Sequence, residues 1–225
     1  LATSIGGIKT LPAAAITING SLDVSSSTLA FDAAAARIVT VTGNCSGAGT
    51  IDMSSGSRTH TLNLNGSTNS IGSLVTAAVA STVAYNLAGA QTVFASSSYR
   101  NLNFTGAGIK TLQGDATVGG ALTVGAGSTF NLGTTATIVD VVGTATLTGS
   151  LNFGSTDKTV TITGNISTGA AGSLNMSGST NHLLKLRGTA NTFTAGFTFT
   201  PGNANQTVTY DGDNAQTIMQ MTYNH

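Results

Sequence analysis

TFNLGTTATIVDVVGTATLTGSLNF, Thr129 to Phe153, carries the reading of the fold. It begins and ends on the same kind of phrase. TFNL (Thr129–Leu132) and SLNF (Ser150–Phe153) each place apolar residues at alternating positions, as a half-buried strand requires. Between them a β-branched run closes on Gly143. The phrase recurs as SLNM (Ser173–Met176), and in the first half of the chain as TLAF (Thr28–Phe31) and TIDM (Thr50–Met53). The glycines recur too. Gly20, Gly43 and Gly66 follow short β-like runs at intervals of 23 and 23, and Gly120, Gly143, Gly164 and Gly188 at intervals of 23, 21 and 24.

A period near 22 with two or three short strands in each period is a coil of a β-solenoid. One coil cannot bury its own apolar face and must stack on its neighbours. In-register stacking puts Leu29 over Ile51, and likewise aligns Phe130, Leu151 and Leu174, as an inner apolar ladder. Asn131, Asn152 and Asn175 then form an outer polar ladder, with glycine at the tight corners. The length of 225 residues predicts about ten coils and a rise of roughly 48 Å at the spacing of paired strands. A β-sandwich or barrel also uses short strands at regular spacing, and Asn19-Gly20, Asn65-Gly66 and Asp211-Gly212 would suit its hairpins. It gives no reason for side-chain identity to recur every 22 residues. The expected fold is therefore all-β: a parallel β-helix, or β-solenoid.

A second repeat overlies the first. GIKTL stands at Gly7–Leu11 and again at Gly108–Leu112. ITINGSLDVSSSTLAF (Ile16–Phe31) parallels ATVGGALTVGAGSTFNL (Ala116–Leu132), and TVAYNLAGAQTV (Thr82–Val93) parallels TVTYDGDNAQTI (Thr207–Ile218). The chain thus reads as one continuous solenoid, 1–225, built of two related sub-repeats, 1–101 and 102–225. The copies are also cyclic. Joined tail to head, TYNH–LATSIGGIKTL restores the middle phrase SYRNLNFTGAGIKTL. The chain has no initiating Met and no leader-like start, so it reads as processed or as cut from something longer.

Composition agrees with this class. Charged residues are 7%, against about a quarter in ordinary proteins; Glu and Trp are absent, and eight Asp balance four Lys and four Arg. Hydrophobic residues at 40% with zero net charge argue against disorder, and the wealth of Thr, Val, Ser, Asn and Gly argues against helix. No basic stripe offers itself to nucleic acid. No apolar run approaches the roughly 18 residues of a membrane span. The lone Cys45 can form no internal disulfide.

Candidate chemistry is sparse. Asp211 and Asp213 are the close pair of acids, in TYDGDNAQ; they read as a polar turn, with a weak Ca²⁺ loop as the alternative. His60 and His182 occupy equivalent places in RTHTLNL and TNHLLKL, with no second ligand at metal spacing, and are expected as polar turn residues. Lys9 and Lys110, both within GIKTL, are expected to point to solvent. Cys45 has no His near it in sequence to make it a nucleophile. No catalytic residue, cofactor or metal is expected, and the chain does not read as an enzyme.

The run AQTVFASSSYRNLNFTGAGIKTLQGDATVGGALTVGAGSTFNLG (Ala90–Gly133) resembles the repeat regions of very large secreted bacterial surface proteins. These are filamentous-haemagglutinin-like adhesins and the surface proteins exported by the type IX system in Bacteroidota. The resemblance implies a right-handed solenoid serving as stalk, adhesin or fibre, outside the cell or on its surface. The leading expectation is a structural unit whose open ends stack head to tail on identical copies, as a filament or as a longer covalent array. The contact residues expected are Leu1, Ile5, Ile8 and Leu11 at one end, and Ile218, Met219, Met221, Tyr223 and His225 at the other. The alternative is an adhesin stalk or binding module that displays surfaces to glycans or other cells. Thr-x-Thr phrases at Thr40–Thr42, Thr161–Thr163 and Thr207–Thr209 recur too irregularly for an ice-binding array.

Overall fold

A computed structural model of the chain describes residues 1–3, 6–76, 80–202 and 205–219. Among the described residues there is no α-helix, and so none long and apolar enough to cross a membrane. Apart from one 3-10 turn, Ser55–Ser57, the regular structure is short β-strand, and every paired strand is parallel to its neighbour. The strands stack as a β-solenoid of about nine turns with a period near 22 residues. The length alone predicts about ten.

One coil shows the construction. Asn101–Phe104 forms the first face, Gly108–Leu112 the second and Ala116–Val118 the third; Leu122–Val124 then returns to the first face, with Leu122 beside Leu102 and Val124 beside Phe104. The first face extends from Ile16–Ile18 to Ile166–Thr168, with Thr192 bridging to Ser167 beyond it. In the earlier coils, single long strands serve two faces. Cys45–Met53 pairs Cys45 with Leu22 on the second face and Ile51 with Leu29 on the third, bending between at Gly47.

The ladders follow from this register. On the second face Phe130, Leu151, Leu174 and Phe199 are aligned rung on rung; the first three are fully buried. Their outward neighbours Asn131, Asn152 and Asn175 are aligned as well. The Asn side chains also form the next corner: their Oδ1 atoms accept from the N–H groups of Gly133, Gly154 and Ser177 at 3.0, 3.0 and 2.9 Å. Leu29, Ile51 and Leu74 make a separate ladder on the third face. The inner ladder expected as one is thus two, on adjacent faces.

That division has a cause. Gly7 and Gly108 are 101 residues apart, and 101 residues at about 22 per turn is about 4.6 turns. The second copy of each phrase therefore lands one face away from the first. Ile8–Thr10 pairs on the third face, whereas the same phrase in Gly108–Leu112 pairs on the second. Thr82–Tyr85 lies on the first face, and its counterpart Thr207–Tyr210, 125 residues or about 5.7 turns on, lies on the third. The core accepts this because all three faces present the same alternation of buried and outward residues.

Candidate functional site: the polar corners and the two ends

At two corners main-chain carbonyls turn inward, and a buried carbonyl needs donors. Two glutamines supply them in matching ways. Gln91 Nε2 donates to the carbonyls of Leu64 and Gly66 at 3.0 and 2.8 Å, while its Oε1 accepts from Leu87 N–H at 3.1 Å. Gln216 Nε2 donates to Leu186 and Gly188 at 2.8 and 3.1 Å, and its Oε1 accepts from Gly212 N–H at 3.1 Å. Asn69 and Asn191, both buried, add a second donor to the Gly66 and Gly188 carbonyls at 3.1 and 2.7 Å. Sequence reading assigned these four residues no role; the signal for the glutamines was the recurrence of AQT at Ala90–Thr92 and Ala215–Thr217.

Lys110 corrects the expectation of a solvated lysine. Its side chain is fully buried, and its ammonium donates to the carbonyls of Leu87, of Gly89 at 2.9 Å and of Ala107 at 3.4 Å. It occupies an inward register position, between Gln91 and the buried Phe130. Lys9, at the same place in the first copy, is exposed.

Burial pushes the Lys110 pKa down to about 8 from the ordinary 10.5. Between these values the unfolded chain binds more protons than the folded one, so stability rises with pH from about 8 towards 10. Tyr85 and Tyr99 act in the opposite sense at higher pH. Burial raises both phenols, so above about pH 10 the unfolded tyrosines ionise first and stability falls. Urea unfolding across this range should show a maximum between pH 9 and 10, approximate bounds set by those ordinary and shifted values. Lys110→Met should flatten most of the rise, leaving the part that comes from Lys158, whose pKa burial also lowers, and keep the fall. An undiminished rise in the variant would contradict the assignment.

The two equivalent histidines are core residues, not polar turn residues. His60 meets the edge of Phe31 with ring centroids 5.1 Å apart, and His182 meets Phe153 at 5.2 Å. His60 Nδ1 accepts from Arg37 N–H at 3.1 Å, which leaves Nε2–H to donate to the Ser55 carbonyl at 3.2 Å and fixes the neutral tautomer. Burial pushes the His182 pKa down, with the Gly154 backbone opposing. Cys45 is buried, and its thiol is pushed up to about 12 by burial and by Asp23.

Asp32, Asp115, Asp157 and Asp211 are held in structural contacts. Asp115 Oδ1 accepts from Thr137 and Ile138 N–H at 2.6 and 2.9 Å, which holds its carboxyl below the usual range. Asp157 accepts from Ser179 and Asn181 in the next coil and is lowered likewise. Asp32 pairs with Arg37 at 2.7 Å. Asp211 meets Arg187 through two bonds of 3.2 Å, placing a guanidinium where a Ca²⁺ ion would compete. Asp211 and Asp213 line an open depression of about 480 Å³ with Arg187, Gly212 and Asn214. No group of three or more His, Cys, Asp or Glu side chains forms a metal-sized cluster among the described residues.

Of the residues expected at the ends, Leu1, Ile8 and Ile218 are exposed, whereas Leu11 and Met219 are buried. Ile8 projects outward, as its counterpart Ile109 does in mid-solenoid, so its main chain and not its side chain marks the edge. Ile5, Met221, Tyr223 and His225 lie outside the described residues. At the first coil Leu1, Lys9, Leu11, Pro12 and Leu29 line a surface depression of about 460 Å³, with Leu11 and Leu29 themselves buried. At the other end Ile218 is 63% exposed, whereas its counterpart Val93, paired beside Leu112, is 0% exposed. Comparison with family models, with curated proteins and with solved structures finds no match.

Proposed function

We propose that the chain is a structural, non-enzymatic protein, a unit of a fibre or longer array in which solenoid ends stack head to tail on identical copies. The observation that carries this reading is the contrast between Val93 and Ile218. The same apolar position is sealed where a further coil follows and open at the last coil. An exposed apolar position and an unpaired strand edge favour one occupant above others, another parallel coil of the same period. Heterologous contacts of this kind generate open fibres unless rotation closes them. Asp32, Asp115, Asp157 and Asp211, engaged in corner and ion-pair contacts, support a non-catalytic role. The low charge spares stacked rungs from like-charge repulsion, and the resemblance to secreted repeat proteins favours a site at or beyond the cell surface.

Ile218→Asp tests the reading. Ile218 is exposed, so the variant should keep the strand signature in circular dichroism and the wild-type unfolding midpoint. It should lose concentration-dependent assembly in sedimentation velocity, because a carboxylate would be buried unpaired in the junction. Equal sedimentation of the two proteins as single chains at every concentration would contradict the proposal. Denaturing electrophoresis of native material separates a 22.3 kDa subunit from a covalent array.

A further inference from the structure

We propose that Lys9 locks the junction between copies: its ammonium seats on the main-chain carbonyls of the Gly212–Asn214 corner of a second copy. The inference rests on the head-to-tail reading and adds the contact that fixes its register and rotation.

The template lies inside the chain. Lys110 reaches down to the Leu87 and Gly89 carbonyls of the preceding coil and across to Ala107 at its own corner. Lys9 sits in the identical phrase. It has the same inward register position, opposite Leu29 as Lys110 is opposite Phe130, and both of those partners are buried. Its Nζ already makes the own-corner contact, to the Gly6 carbonyl at 3.4 Å, the same distance as Lys110 to Ala107. The two remaining acceptors are those that a preceding coil supplies to Lys110.

The tail presents a matching corner. Asp211–Asn214 follows the strand Thr207–Tyr210 as Asn86–Gly89 follows Thr82–Tyr85. Gln216 braces it with the same three bonds that Gln91 makes beneath Lys110. By this correspondence Gly212 stands for Leu87 and Asn214 for Gly89. The residues that differ favour a cation, for Asn86 and Ala88 are replaced by Asp211 and Asp213. Asp211 is shared with Arg187, and Asp213 is exposed beside it.

Seating Lys9 there sets the whole junction. Lys9, Thr10 and Leu11 would stack on Gln216, Thr217 and Ile218, as Lys110, Thr111 and Leu112 stack on Gln91, Thr92 and Val93. Leu11 would then cover Ile218. Lys9 lies on the third face, whereas Gln216 follows a third-face strand at the corner leading to the first. Each copy is therefore turned by one face relative to the copy it sits on.

The test is amine acylation of the 225-residue chain, read by mass spectrometry in its dispersed and assembled states, with the half-buried Lys185 as reference. Lys9 modification should fall about ten-fold or more on assembly relative to Lys185, and Lys9→Glu should raise the concentration needed for assembly by about ten-fold or more, the scale of a lost charge-assisted contact. Lys9 is exposed, so the variant should fold as wild type does. Assemblies in which Lys9 stays as reactive as in the dispersed chain, or a Lys9→Glu protein that assembles at wild-type concentrations, would overturn the lock and leave end-to-end stacking standing. A wild-type chain that never assembles would overturn both.

Discussion

Gly47→Ala should cost about 3 kcal/mol or more of folding stability, at the upper end of single-substitution effects. Gly47 turns the corner inside the long strand Cys45–Met53, and it does so at φ +118°, a region that side chains rarely adopt. A methyl group there meets a second penalty. Its Cβ would overlap the carbonyl carbon and oxygen of Val24 in the coil below and come within 2.7 Å of Asp23 Oδ1. Val24 cannot move aside freely, because its N–H and carbonyl are both bonded to the coil above, to Ser46 O and Gly49 N. Gly20 separates the two costs. It has a similar φ of +122°, but nothing lies within 4 Å of its would-be Cβ. Gly20→Ala should therefore cost only the backbone strain, about 1–3 kcal/mol. Urea unfolding of both variants gives the difference, read from midpoints at unchanged slope. A Gly47 variant no less stable than the Gly20 variant would show that the coils are less tightly stacked than described.

Phe130→Ala should cost about 3–5 kcal/mol, the range for removing a buried aromatic ring. The ring is fully buried, 4.6 Å from the Phe104 ring, between the Lys110 stem below and Leu151 above. In many cores the surroundings relax into such a void. Here the walls are rungs whose spacing is fixed by continuous backbone pairing, so collapse along the axis would break hydrogen bonds. The cost should thus fall in the upper part of the range, and Phe130→Leu should recover most of it. Asn152→Ala, one coil on and pointing outward, should lose only its bond to Gly154 N–H, about 1 kcal/mol. Comparable losses for Phe130→Ala and Asn152→Ala would contradict a ladder core.

The coil period and the inward ladders were legible because they depend on local alternation and on glycine recurring at fixed intervals. Leu29 over Ile51 and Phe130 over Leu151 could be written down from spacing alone. The face on which each ladder runs could not. It depends on the fraction of a turn left over after 101 residues, and intervals that vary from 21 to 24 blur that fraction. The buried polar residues were hidden for another reason. Lys110 looks solvated because its carbonyl acceptors at Leu87 and Gly89 lie 23 and 21 residues away, in the adjacent coil. His60 likewise depends on Arg37, 23 residues back. At the ends, the alignment of the two copies set Lys9 and Lys110 in the same phrase, but only the structure shows Lys110 buried and Lys9 exposed.

Cryo-electron microscopy of the assembled chain is the most direct test of end-to-end stacking. The account predicts fibres one solenoid wide, with rungs at about 4.8 Å continuing through each junction. It further predicts one chain for every nine to ten rungs, roughly 43–48 Å at that spacing, and successive chains turned by one face, with Lys9 over the Gly212–Asn214 corner. Isolated rods one chain long at every concentration, or fibres joined side to side with their solenoid ends uncovered, would contradict it.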